Sequence, residues 1–113
     1  MERDSAYIKH ILEAIATVES YTKGFDREKF LDPANKLTQD GVVREFEIIG
    51  EAVGRLSEDI KKQHSDLPWR DIVGMRNKLI HDYFRVNLGV VWKTVERDVL
   101  VLKEAMQKLS ADF

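Results

Sequence analysis

The chain reads as an all-α protein, an up-and-down bundle of four to five helices, and three observations point that way. Apolar residues recur at three- and four-residue steps over several long windows instead of alternating. Only two prolines, Pro33 and Pro68, and six glycines punctuate the 113 residues, so few places can end a long helix. Apolar residues make up 43% and charged residues 34%, a balance with which a chain buries a core and does not stay disordered. A chain this short supports one hydrophobic core, and residues 1–113 are read as a single domain.

The first helix is placed at residues 4–23, where Ile8, Ile11, Leu12, Ile15, Ala16 and Val18 share a face. Asp4 or Ser5 is available as its N-cap and Gly24 as its stop. Residues 26–32 can form one short turn of helix that closes at the Asp32-Pro33 step, because the residue before a proline disfavours the α region. A second long helix is expected at residues 39–62 from the stripe Val42, Val43, Phe46, Ile49, Val53, Leu56 and Ile60. Gly41, Gly50 and Gly54 each weaken it by up to about 1 kcal/mol against alanine, which points to close backbone approach or to incidental glycine use. His64 to Trp69 reads as a connection, followed by a third helix from Pro68 or Trp69 to Phe84. Asn87 then caps a last helix, Leu88 to Ser110, with Val91, Val95, Val99, Leu102, Met106 and Leu109 as its buried stripe.

Composition narrows the function classes. The 18 Lys and Arg against 20 Asp and Glu give a net charge of −2, so no global positive field gathers nucleic acid or anionic lipid, and any anion site must be local. The absence of cysteine excludes a disulfide framework, a thiolate nucleophile and a cysteine zinc site. His10, His64 and His81 are scattered without the paired spacing of metal ligands, so neither metal nor cofactor is expected. No cleavable apolar leader and no run near the roughly 20 residues of a membrane span is present, and the expectation is a soluble, cytoplasmic protein.

The third helix carries the candidate chemistry. At about 100° per residue, Ile72, Arg76, Ile80 and Tyr83 lie near one line, flanked by Val73, Phe84 and Leu79, so an arginine stands inside an apolar stripe. A guanidinium cannot shed its proton to escape burial. Arg76 therefore requires a carboxylate, a phosphate or a water-filled cleft, and an internal salt bridge serves as well as a ligand. Asn77 and His81, four residues apart, share the adjoining face. Histidine exchanges protons near neutral pH, arginine holds a phosphoryl group bidentately, and an amide orients a substrate oxygen. Those parts suit attack of a ribose hydroxyl on its neighbouring phosphate, which needs proton transfer and charge neutralisation and no metal. Taken singly, His81 also fits a structural histidine and Tyr83 a core aromatic with its hydroxyl at the rim.

From Lys61 to Arg85, Lys61, Lys62, Arg70, Arg76, Lys78 and Arg85 outnumber Asp66, Asp71 and Asp82, a local balance of +3. Such a patch supports RNA-backbone contact, with Trp69, Tyr83 and Phe84 as nearby stacking aromatics, or is an ordinary solvated face. On the second helix Arg44, Ile48, Glu51 and Arg55 line the side opposite the core stripe, mixing an isoleucine with charges. That face is either a polar exterior or a contact for another subunit, and Glu51 is a candidate partner for Arg76.

The run Gly74-Met75-Arg76-Asn77-Lys78-Leu79-Ile80-His81-Asp82-Tyr83 resembles the RxxxxHxY signature of HEPN-domain proteins, in particular the HepT-like toxins paired with minimal nucleotidyltransferase antitoxins. Ile48-Ile49-Gly50-Glu51-Ala52 and Pro68-Trp69-Arg70-Asp71-Ile72-Val73 extend the resemblance over most of the chain. The resemblance implies a metal-independent endoribonuclease in which Arg76 and His81 carry catalysis and Asn77 assists. It also implies a homodimer whose motif helices face one another across a composite cleft, and a partner nucleotidyltransferase that attaches AMP to Tyr83 and neutralises the toxin. A non-catalytic module that binds a nucleotide or a nucleotidyltransferase, with Arg76 gripping phosphate, is the alternative reading, and a purely structural helical protein is the third.

Overall fold

In the computed structural model, residues 2–71, 73–74 and 87–111 are described, and they form helices joined by short turns, with no strand among the described residues. Helix α1 runs from Glu2 to Thr22 and buries Ile8, Ile11, Ala14, Ile15 and Val18. Gly24 ends it in a left-handed conformation, φ 78°, which side-chain-bearing residues rarely adopt. The stop is therefore the one expected, whereas the cap is not. Asp4 lies inside the first turn of α1, 1% exposed, and its carboxylate serves a different helix.

Helix α2, Arg27–Leu31, starts at Asp26, whose side chain accepts the Lys29 N–H at 2.8 Å. It closes at Asp32, held extended before Pro33, and Asp32 in turn accepts the Ala34 N–H of a 3-10 turn, Pro33–Asn35. Buried Gln39 locks this corner: its amide donates to the carbonyls of Phe30 at 2.8 Å and Asp32 at 2.9 Å, so its burial strands no donor.

The second long helix comes as two. Helix α3 covers Lys36–Gly54, and α4 covers Glu58–Gln63. Between them Ser57 turns extended and caps α4, its hydroxyl accepting the Ile60 N–H at 3.3 Å. Ser57 also donates to Asp4 through its N–H at 2.8 Å and its hydroxyl at 2.6 Å. Leu56 and Ile60 remain buried on either side of the break, so the apolar stripe runs through it undisturbed. Of the glycines expected to admit close approach, Gly41 does so: a Cβ there would sit 2.9 Å from the Tyr21 ring on α1, while one at Gly54 would meet nothing.

Residues 69–71 and 73–74 are helical, in keeping with a helix that starts at Pro68 or Trp69, and the rest of that predicted helix lies outside the described residues. Trp69 donates its indole N–H to the His64 carbonyl at 2.9 Å and packs, with Val73, against the core. Asn87 caps α5, Leu88–Lys93, accepting from the N–H groups of Gly89 and Val90. The chain then widens into a π-helical stretch, Thr94–Asp98, before α6, Val99–Ser110. The predicted stripe is buried at Val91, Val99, Leu102, Met106 and Leu109, with Val95 partly covered. Helix α1 packs on α3 and α6, and α2 packs on α5 through Phe30 and Trp92, whose ring centroids lie 5.2 Å apart.

Candidate functional site

Arg76, Asn77, His81 and Tyr83 lie outside the described residues, as does the apolar line Ile72, Ile80 and Phe84. What the structure places is the ground on which that helix begins. Trp69 and Val73 face the core while Arg70 and Asp71 are exposed, so the helix enters with one face in and one out. Beside its first turn is a groove of about 380 Å³. Phe46 and Ile49 of α3 form its floor, Val99 and Leu102 of α6 one wall, and Pro68 and Asp71 the rim. Thr94 and Asp98, the two ends of the π stretch, also line it. π-helical turns recur at functional sites because they displace side chains that a regular helix would align; the periodicity of the last helix gave no sign of this one.

Along the outward side of α3, Arg44 is exposed and pairs with Glu47 at 3.2 Å, an exposed pair worth little to stability. Ile48 is half-buried and packs against the core, so the isoleucine read as exposed is a flank of the core stripe. Glu51 and Arg55 are exposed. Lys61 keeps its side chain largely covered, 3.9 Å from Glu58. Arg55 stands at the end of α3 beside the Tyr7 hydroxyl, and hydrogen bonding from its guanidinium, outweighing the opposing effect of burial and helped by Arg3, holds the phenol below its ordinary pKa of 10.0. The sequence reading passed over this cluster, although Arg3, Tyr7 and His10 fall at helical spacing on α1. His10 and His64 belong to different elements, and no group of three or more metal-binding side chains gathers among the described residues. No helix among the described residues is long and apolar enough to cross a membrane.

The profile of the ribonuclease HepT-like family matches residues 11–109, a span that contains all four motif residues. A protein of Thermococcus cleftensis named as a probable ribonuclease HepT is 45% identical over 103 residues, covering 91% of this chain and 92% of that one. A Caldanaerobacter subterraneus protein named as a putative RNase is 38% identical over 110 residues, 96% of each chain. A Methanocaldococcus jannaschii protein named as a gamma-glutamylcyclotransferase and putative RNase is 40% identical over 107 residues, 95% of this chain but 47% of that longer one. No solved structure gives a significant match. With nearly the whole chain matched by the family profile and by full-length relatives, the protein belongs to the HepT-like ribonuclease family.

Proposed function

We propose that this protein is a metal-independent endoribonuclease, the toxin of a toxin-antitoxin pair, acting through Arg76 and His81. The observation that carries the reading is the run Arg76-Asn77-Lys78-Leu79-Ile80-His81-Asp82-Tyr83, which sets a fixed cation, an amide, a proton-exchanging imidazole and a phenol within eight residues of sequence in a chain that matches a ribonuclease family. In the proposed step the ribose 2′-hydroxyl loses its proton, aided by His81, and attacks the adjacent phosphorus. The P–O bond to the 5′ oxygen breaks, that oxygen gains a proton, and the products are a 2′,3′-cyclic phosphate and a 5′-hydroxyl. Arg76 neutralises charge on the phosphorane-like state, where a preformed cation is worth most, and Asn77 orients an oxygen.

The working unit is a homodimer with the motif helices facing across a two-fold axis, so that Arg76 meets solvent and substrate in a composite cleft. Exposed Glu51 and half-buried Ile48 on α3 suit such an interface, and Glu51 supplies a carboxylate for positioning Arg76. Neutralisation is by a minimal nucleotidyltransferase: the Tyr83 oxygen attacks the α-phosphorus of ATP, pyrophosphate leaves, and the AMP phosphate occupies Arg76. The protein acts in the cytoplasm, where RNA is its substrate.

The test is product chemistry in the presence of a chelator. Cleavage that leaves cyclic phosphate ends, and stops when the ribose before the scissile bond is 2′-deoxy, is the expected result. RNA binding without turnover by the clean protein would favour the non-catalytic binding module instead.

A further inference from the structure

We propose that Arg3, Tyr7, His10 and Arg55 form a second contact for single-stranded RNA, with the two guanidiniums on a backbone phosphate and the Tyr7-His10 pair against a neighbouring base. The proposal takes its ligand class from the ribonuclease reading and adds a binding surface outside the Arg76-Tyr83 run.

Arg3, Tyr7 and His10 occupy positions i, i+4 and i+7 of α1, one stripe on its surface. The Arg3 guanidinium carbon sits 5.8 Å from the Tyr7 ring centroid, within reach for a cation over an aromatic face. The His10 ring meets Tyr7 edge-on, at 6.3 Å and 82°. Arg55 arrives from the end of α3 beside the same hydroxyl. What delivers it there is the clamp two residues on, where Ser57 donates twice to Asp4, the residue between Arg3 and the rest of the stripe.

Charge makes the cluster a site for an anion. Arg3 and Arg55 are exposed, and neither forms an ion pair among the described residues. The Asp4 carboxylate, next to Arg3, is 1% exposed and has both oxygens engaged by Ser57, while the exposed Glu51 stands one turn before Arg55 on α3. An acidic protein partner would need only the cations. Exposed cations beside the exposed His10 ring and the half-buried Tyr7 ring match the alternation of phosphate and base along a single strand.

The experiment measures affinity of the full chain carrying His81→Ala for a labelled single-stranded RNA oligonucleotide as salt is varied, with circular dichroism confirming the fold of each variant. Arg3→Ala with Arg55→Ala should weaken binding and reduce the salt slope by about 0.7, the share of one neutralised phosphate on a single strand. Tyr7→Ala should weaken it at least about fivefold while Tyr7→Phe retains it. Lys103→Ala with Lys108→Ala, which removes as much charge from α6, should leave affinity unchanged. A folded arginine double variant with unaltered affinity and slope overturns the proposal, as does loss of nucleotidyltransferase binding with RNA binding intact. Should the unsubstituted chain bind RNA through this surface yet never cleave it, the ribonuclease reading falls and this one stands. If it cleaves and the variants bind normally, only this one falls, and if it neither binds nor cleaves, both do.

Discussion

Asp4 accepts two hydrogen bonds from Ser57 across 53 residues of sequence, one from the backbone N–H at 2.8 Å and one from the hydroxyl at 2.6 Å. The contact ties the first turn of α1 to the α3-α4 joint and fixes Arg55 next to Tyr7. A carboxylate 1% exposed is costly to bury unless its oxygens are satisfied, and the serine satisfies both while still accepting from Ile60.

Asp4→Ala should therefore destabilise the fold by about 1–3 kcal/mol, because Ser57 loses the acceptor for a part-buried N–H. Ser5→Ala, at an exposed neighbouring position, should stay within about 0.5 kcal/mol. Urea unfolding followed by circular dichroism separates the two, and equal midpoints would show the clamp to be inert.

Asn87→Ala should cost about 1 kcal/mol, the worth of an N-cap side chain, since the Asn87 side chain accepts the Gly89 N–H at the start of α5 and shares the Val90 N–H with its own carbonyl. Asn87→Asp should retain most of it. The same unfolding measurement reads both.

Phe30→Ala should cost about 3–5 kcal/mol, because its fully buried ring packs on Trp92 and joins α2 to α5. Leu37→Ala, at a side chain 89% exposed, should change stability by less than about 0.5 kcal/mol.

Alkaline titration should show one tyrosine ionising below the ordinary value of 10.0, and Arg55→Ala should move it back up. The sign is fixed by the direction. Below the folded-state pKa the phenol is protonated whether the chain is folded or not, and Arg55 adds nothing through it. As pH rises past that point the folded state releases its proton first, so the Arg55 contribution grows only on the alkaline side. Ultraviolet absorbance of the wild type against Tyr7→Phe assigns the transition.

Features that rest on local chemistry were legible in the sequence. Gly24, Asp26, Asp32-Pro33 and Asn87 each punctuate the chain through their own backbone or the next few N–H groups, and the structure uses each of them at the expected place. The α3-α4 break was not legible, because Leu56 and Ile60 keep the helical register on both sides of it and the residue that stabilises the turn, Asp4, is distant in sequence. Asp4 itself reads as a cap, and it does work near a helix start, but one belonging to α4. The π stretch escaped for a similar reason: an extra residue per turn leaves Val91 and Val99 both buried, so the stripe survives the change. The motif residues Arg76, Asn77, His81 and Tyr83 stand out in the sequence because their spacing is short and their chemistry unusual for an apolar stripe, and they lie outside the described residues. The Arg3, Tyr7 and Arg55 cluster was not, since its third member is brought by tertiary packing.

The proposed metal-independent cleavage of RNA by Arg76 and His81 is read in the cleavage rate in excess chelator for the wild type and for folded His81→Ala. Wild-type turnover should be undiminished by chelator and should fall about 10²–10⁴-fold in the variant, the contribution of a positioned acid-base group. Abolition of wild-type cleavage by the chelator, or a variant that cleaves at the wild-type rate, would contradict it.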